Sequence, residues 1–231
     1  MTNYLLLDID NTLISANERL AEIENRILCL NRLGKIIIAT GRTFHDFAGN
    51  LNWMKIKDHI EASVFSNGGE IYYQNNFEKN FFDEFSANKL LAELKDKNYN
   101  STIQTNFYDI ASLEYFLNNF HTAKYINRIK ILDFRYKEDS KLLTTLSILK
   151  LQTIFAPSGE LSIFPEGVNK RNAVYKCLKN KADNDRIIAC GDGNNDLSLE
   201  LDPNILFIKT KDRGNNTFNY LYSKLREVTQ E

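Results

Sequence analysis

Asp8 and Asp10 are two carboxylates one residue apart, placed where the apolar run from Tyr4 to Leu7 ends. Strand residues two apart point the same way, so the two acids can converge if the extended geometry continues past Leu7. Converging carboxylates repel one another unless a cation or a shared proton relieves them. Mg2+ is the natural occupant, because this hard ion binds through a few carboxylates plus substrate phosphate. Three distant segments carry groups suited to the same chemistry. Thr40-Gly41-Arg42 offers a hydroxyl and an unobstructed backbone amide, Lys170 an ammonium, and Gly191-Asp192-Gly193-Asn194-Asn195-Asp196 further acids and amides. Each alone has a bland reading, as a turn, a solvated helix residue or a surface loop. An Asp-x-Asp also serves as a metal clamp in sugar-nucleotide glycosyltransferases, but no nucleotide-binding pattern accompanies it here, and that reading leaves Lys170 and Asp192 without roles.

The elements that must position these groups are legible from periodicity. Tyr4 to Leu7 reads as a buried strand. Leu20, Ile23, Ile27 and Leu30 recur at helical spacing, with Gly34 as the stop. Lys35 to Ala39 is a second strand, so the opening residues form a strand–helix–strand unit with parallel strands. Further strands are predicted at Ala62 to Ser66, Arg186 to Cys190 and Asn204 to Ile208, with a hairpin over Glu70 to Phe77 turning at Asn75-Asn76. Ala173, Val174, Cys177 and Leu178 mark a helix that Asn169 could cap. Phe218, Leu221, Tyr222, Leu225 and Val228 predict a closing amphipathic helix. In such open α/β sheets ligands bind outside the carboxyl ends of the strands; Asp8/Asp10, Thr40-Gly41 and Asp192 fall at such ends, and Lys170 opens a helix.

Between Phe82 and Phe164 the pattern changes. Helices are predicted around Leu90, Leu91 and Leu94, around Ile110, Leu113, Leu117 and Phe120, and around Leu142, Leu143, Leu146 and Leu149. Strands are predicted at Arg128 to Tyr136, Gln152 to Ala156 and Glu160 to Pro165, the last two separated by a Pro157-Ser158-Gly159 turn. This reads as a small α+β module of antiparallel sheet with helices on one face. The expected division is therefore 1–81 with 165–231 as a parallel α/β core, and 82–164 as an inserted domain. Phe107, Tyr108 and Tyr125 could stack on a sugar ring, though burial within the module is the other reading of each.

The 231 residues suffice for a core domain with an insertion. A net charge of −1 supplies no global field for nucleic acid or an anionic membrane. No apolar stretch approaches the roughly 20 residues that span a bilayer. The N-terminus lacks a basic region and its apolar run is broken by Asp8, which argues against a secretory signal. Cys29, Cys177 and Cys190 are scattered without metal-like spacing and read as core filler, so a cytoplasmic protein is expected. His45, His59 and His121 are equally dispersed and read as surface or loop residues.

Taken together and in this order, the four segments resemble the motifs of the haloacid-dehalogenase-like phosphatases along the whole chain. Asp8-Ile9-Asp10-Asn11-Thr12 matches the first motif, Thr40-Gly41-Arg42 the second, Lys170 the third and Gly191-Asp192-Gly193-Asn194-Asn195-Asp196 the fourth. The insertion between the second and third resembles the C2-type cap of class IIB sugar-phosphate phosphatases, and Asn67-Gly68-Gly69 fits a loop of that branch. Asp10-Asn11-Thr12 and Gly69-Glu70-Ile71-Tyr72-Tyr73 look most like the sucrose-phosphatase-like members. Most relatives carry Gly in place of Asn11, so the turn here must tolerate a side chain. The segment through Leu201-Asp202-Pro203 also departs from the small-residue pattern of the larger branch.

The resemblance implies a Rossmann-like core and a Mg2+-dependent hydrolysis of a small phosphate ester, most readily a sugar phosphate. With no global field of charge, no nucleic-acid or membrane partner is expected. Asp8 would be the nucleophile, and Asp10 would protonate the leaving oxygen and then activate water, its pKa raised by the negative charges beside it. Mg2+ would be held by Asp8, the backbone carbonyl of Asp10 and Asp192, with Asp196 a further candidate. Thr40, Gly41, Lys170 and Asn195 would contact the phosphate, with Thr40 and Gly41 at a helix N-terminus and Lys170 also neutralising charge that develops in the reaction. Arg42 reads equally as an assistant or as half of an ion pair. A phosphomannomutase-type mutase shares these motifs, and a catalytically weak sugar-phosphate-binding or regulatory protein is the rival from another class.

Overall fold

The structure, a computed structural model, describes residues 1–49, 53–106, 111–120, 123–156 and 158–230. Phe107, Tyr108, Ile110, His121 and Pro157 lie outside the described residues. The chain divides into two compact units, Met1–Glu78 with Lys170–Glu231, and Lys79–Asn169. The divisions fall at Glu78/Lys79 and Asn169/Lys170, where the sequence suggested 81/82 and 164/165. The inserted unit therefore begins three residues earlier and ends five residues later than the sequence suggested.

In the first unit β1 (Asn3–Leu7) leads through α1 (Glu22–Leu30) to β2 (Lys35–Ala39). Ile23, Ile27 and Leu30 form the buried stripe of α1. Cys29 falls beside that stripe and is exposed, so the expectation that it fills the core is corrected, whereas Cys177 and Cys190 are buried. Two short helices, α2 (Phe44–Gly49) and α3 (Trp53–Ile56), precede β3 (Ala62–Phe65), β4 (Glu70–Tyr73) and β5 (Asn76–Lys79). The turn between β4 and β5 lies at Gln74-Asn75 rather than Asn75-Asn76. Both central residues have positive φ, 49° and 62°, as a two-residue hairpin whose twist matches its strands requires.

In the inserted unit α4 (Glu84–Asp96) is capped by the Asp83 carboxylate, which accepts from Ser86 N–H. Then come β6 (Ser101–Thr105), β7 (Ala111–Ser112), α5 (Leu113–Asn119), β8 (Ile126–Ile131), α6 (Ser140–Ile148), β9 (Gln152–Phe155) and β10 (Leu161–Phe164). The predicted helix around Ile110 starts only at Leu113, where Ser112 accepts from Tyr115 N–H as its cap. The predicted strand Arg128 to Tyr136 ends at Ile131, because Asp133 caps a 3-10 turn over Phe134–Glu138. The strands form one five-stranded sheet, order β7-β6-β8-β10-β9, whose neighbouring pairs are antiparallel. One apolar cluster joins α4, α5 and α6 to Ile103, Ile129, Ile131, Leu161 and Ile163 of that sheet. Tyr125 is half-buried, with its ring edge-on to Phe81 at 5.6 Å.

The chain returns to the first unit with α7 (Lys170–Cys177), β11 (Arg186–Gly191), α8 (Leu197–Glu200), β12 (Leu206–Lys209) and α9 (Thr217–Thr229). β12 starts two residues later than predicted, since Asp202 accepts from Asn204 N–H and holds that residue in a turn. The sheet has seven strands in the order β12-β11-β1-β2-β3-β4-β5. β12 to β3 are parallel, and β4 is antiparallel to β3. Leu5 and Leu7 of β1 pack with α1 and α9 on one face, while Tyr4 and Leu6 pack with α7 on the other. A sheet buried on both faces explains why its strands are continuous apolar runs. From β1 the chain goes first to β2 on one side and later returns to β11 on the other. The carboxyl end of β1 is therefore the topological switch point, where a ligand crevice forms in such sheets.

Candidate active site

Asp8, Thr40 and Asp192 lie just beyond β1, β2 and β11, and the register Leu7↔Ile38 and Leu7↔Cys190 brings these ends together. Asp8 is buried, with its N–H bonded to Cys190 O at 3.0 Å. Lys170, the first residue of α7, has 0% exposure; its Nζ lies 2.7 Å from Asp196 Oδ1 and 3.1 Å from Asp8 Oδ1. Burial pushes the Asp8 carboxyl up to about 7, against the pull of Lys170 and with added repulsion from Asp196. Burial also disfavours the Lys170 ammonium, but attraction by Asp8 and Asp196 outweighs it and raises that pKa.

Asp196, 1% exposed, has both carboxylate oxygens engaged, Oδ1 by Lys170 and Oδ2 by the Gly193 N–H at 3.3 Å. Its close approach to the backbone requires Gly191, where a Cβ would stand 2.3 Å from the Asp196 carboxyl carbon. Asp192 accepts the Asn11 amide on Oδ2 at 2.8 Å, and burial raises its pKa. One carboxylate oxygen from each of Asp8, Asp192 and Asp196 fits within 4.8 Å, and the cluster leaves out Asp10. These all-oxygen donors, with burial raising the pKa of Asp8 and Asp192, fit a hard divalent cation.

Asp10 departs from expectation. The sequence surrounds it with negative charge, yet its carboxylate faces a guanidinium: Arg42 Nε donates to Oδ2 at 3.0 Å and Nη2 to Oδ1 at 2.7 Å. The third nitrogen of Arg42 holds Asp46 at 2.8 Å. Arg42 is thus an ion-pair residue, and it serves two acids.

Thr40 is fully buried, with its N–H bonded to Val64 O and its Oγ accepting from Arg42 N–H at 3.2 Å. The reading of Thr40 and Gly41 at a helix N-terminus is corrected, because α2 begins only at Phe44. The Phe44 N–H is taken by the buried Glu70 carboxylate at 2.8 Å. Gly41 lies against Asn67, whose side chain a Cβ would meet at 3.3 Å, and Asn67 Oδ1 accepts from Asn195 Nδ2 at 3.4 Å. Asn67 therefore links the second and fourth segments. Its φ of 52° is the signal in the backbone, and the Asn-Gly-Gly loop was the signal in the sequence. No sequence signal pointed to Asn11 as the partner of Asp192 or to Glu70 as the anchor of α2.

A family model described as haloacid dehalogenase-like hydrolase matches residues 5–199. Among solved structures, the HAD subclass IIB sugar phosphatase BT4131 is similar at 18% identity and TM-score 0.68, over 95% of this chain and 91% of that one. A haloacid dehalogenase-like hydrolase from Bacteroides thetaiotaomicron is 17% identical, with TM-score 0.64 over 86% of this chain and 84% of that one. TM0651 from Thermotoga maritima is 16% identical, with TM-score 0.65 over 96% and 97%. These likenesses show the fold. No curated protein sequence matches significantly. Among the described residues, no helix is long and apolar enough to cross a membrane.

Proposed function

We propose that this chain, which belongs to the haloacid dehalogenase-like hydrolases, is a Mg2+-dependent phosphatase acting on a small phosphorylated metabolite, with sugar phosphates as the leading class. The observation that carries the reading is Lys170, a fully buried ammonium bonded at once to Asp8 and Asp196 beside Asp192. An ion set with such burial is expensive to maintain, and a phosphoryl group is the ligand that this mixture of acids and one cation serves.

In this reading Asp8 attacks phosphorus, the ester P–O bond breaks, and the leaving oxygen takes a proton from Asp10. Water then attacks the aspartyl-phosphate, the bond to Asp8 breaks, and Asp10 takes the proton of the water. Lys170, held by Asp196, neutralises charge that develops on the phosphoryl oxygens. The Thr40 hydroxyl, the Gly41 N–H and Asn195 contact the phosphate. Mg2+, held by Asp8, Asp192 and the Asp10 carbonyl, supplies Lewis-acid neutralisation of the phosphate when bound. The engagement of both Asp196 oxygens favours a holding role for that residue over direct ligation. The unit Lys79–Asn169 is read as the C2-type cap, which supplies contacts to the leaving group. The likeness to a subclass IIB sugar phosphatase supports the substrate class.

The test is phosphate release from a panel of sugar, polyol and aryl phosphates, with MgCl2 and with EDTA. Asp8→Asn should lower kcat roughly a thousandfold or more while the protein stays folded. Equal turnover by wild type and variant would defeat the reading. Transfer exceeding hydrolysis in the presence of a sugar bisphosphate would assign a mutase instead.

A further inference from the structure

Asn11 combines a constrained backbone with a specific side-chain contact. It lies in the tight loop after β1, where the Thr12, Leu13 and Ile14 N–H groups all turn back to Ile9 O. Its φ is 55°, in the left-handed region that Gly, Asn and Asp tolerate best. Glycine would hold this turn without a side chain, and aspartate would hold it with a charge repelled by Asp192. Asparagine alone of the three holds the turn and donates an amide N–H, which reaches Asp192 Oδ2 at 2.8 Å.

That bond limits what Asp192 can offer a cation. With Oδ2 engaged by the amide, the carboxylate presents its other oxygen. Asp8 is similarly restricted, with Oδ1 held 3.1 Å from Lys170 Nζ. Asp196 has both oxygens engaged. A site of few, single-oxygen carboxylate contacts suits Mg2+, which takes six ligands octahedrally and keeps several waters. It suits Ca2+ poorly, since that ion takes six to eight oxygens and readily uses both oxygens of a carboxylate.

We infer that Asn11 is a metal-selectivity residue: by occupying Asp192 Oδ2 it restricts that acid to one coordinating oxygen and favours Mg2+ over Ca2+. The inference rests on the reading that a divalent cation binds among these acids. Asn11 acts through Asp192 and is a positioning residue, since partners that orient a metal's ligands change affinity without touching the ion.

The experiment measures binding alone. Apparent dissociation constants for MgCl2 and CaCl2 are obtained from the rise in melting temperature with metal concentration, for metal-free wild type, Asn11→Gly and Asn11→Asp. Both variants suit the positive φ and both lack the donor. They change the charge of the site differently, so absolute affinities will diverge. The ratio of Mg2+ to Ca2+ affinity should fall roughly tenfold or more in both. Should one variant fail to fold, the other decides. A wild type without preference for Mg2+, or variants that keep the wild-type ratio, would overturn the inference and leave the phosphatase reading standing. A wild type that binds neither cation would overturn the metal site and this inference together.

Discussion

Arg42 grips Asp10 through two parallel hydrogen bonds, at 3.0 Å and 2.7 Å, while its remaining nitrogen holds Asp46 at 2.8 Å. Bidentate pairing of this kind is strong and fixes the orientation of the carboxylate. In the proposed mechanism Asp10 must exchange the guanidinium for the leaving group. Asp46 makes that exchange easier, because Arg42 keeps a counter-charge when Asp10 departs.

Asp46→Asn should therefore strengthen the hold of Arg42 on Asp10. These groups are partly exposed, so the effect is that of a surface pair, about two- to fivefold. It should appear as a fall in kcat/KM for an alkyl phosphate, whose leaving group needs a proton, and hardly at all for p-nitrophenyl phosphate. An equal fall for both esters would refute the exchange.

Lys170→Met should unsettle the protein as well as silence it. The substitution preserves the stem but strips the charge, leaving Asp8 and Asp196 buried against each other. Removing one partner of a buried ionic set typically costs about 3–5 kcal/mol. Urea unfolding of the metal-free protein at neutral pH reads this directly, and a change below about 1 kcal/mol would show that the buried acids have another counter-charge.

Gly191→Ala places a Cβ 2.3 Å from the Asp196 carboxyl carbon. Asp196 must then move, and Lys170 loses the contact that orients it. The expected outcome is a loss of about 1–3 kcal/mol, as for overpacking elsewhere, together with a fall in phosphate release. Unchanged turnover would mean that Asp196 does not position Lys170.

Part of the acid sensitivity should come from Glu18. The hydrogen bonds from Arg26, aided by the Ser15 N–H, hold its carboxyl down at about 2. A lowered folded-state pKa stabilises above the ordinary value near 4.5 and is lost as pH falls towards 2. The contribution is at most about 3 kcal/mol. In Glu18→Gln that segment of the stability profile should flatten, so that wild type and variant converge as the solution is acidified from pH ~5 to ~2.

The continuous apolar run Tyr4 to Leu7 marked β1 as a buried strand, and in the structure Tyr4 and Leu6 serve one core while Leu5 and Leu7 serve the other. Element boundaries were less legible where a side chain overrode propensity. Asp133 capped a 3-10 turn inside a stretch read as strand, Ser112 capped a predicted helix at a later start, and the positive φ of Gln74 moved a turn by one residue.

What the chain order determined by itself was which ends meet. Parallel strands with their acids and hydroxyl at the same end bring Asp8, Thr40 and Asp192 to one crevice, while Lys170 reaches it from the start of α7. What only the folded structure decided was whom each side chain answers to. Asp10 faces Arg42 rather than the other acids, Glu70 occupies the start of α2, and Asn11 binds Asp192 across 181 residues of chain. Strand and helix periodicity fixes the direction of a side chain within its own element. The partner it meets there depends on loop dihedrals and distant packing, which no local pattern encodes.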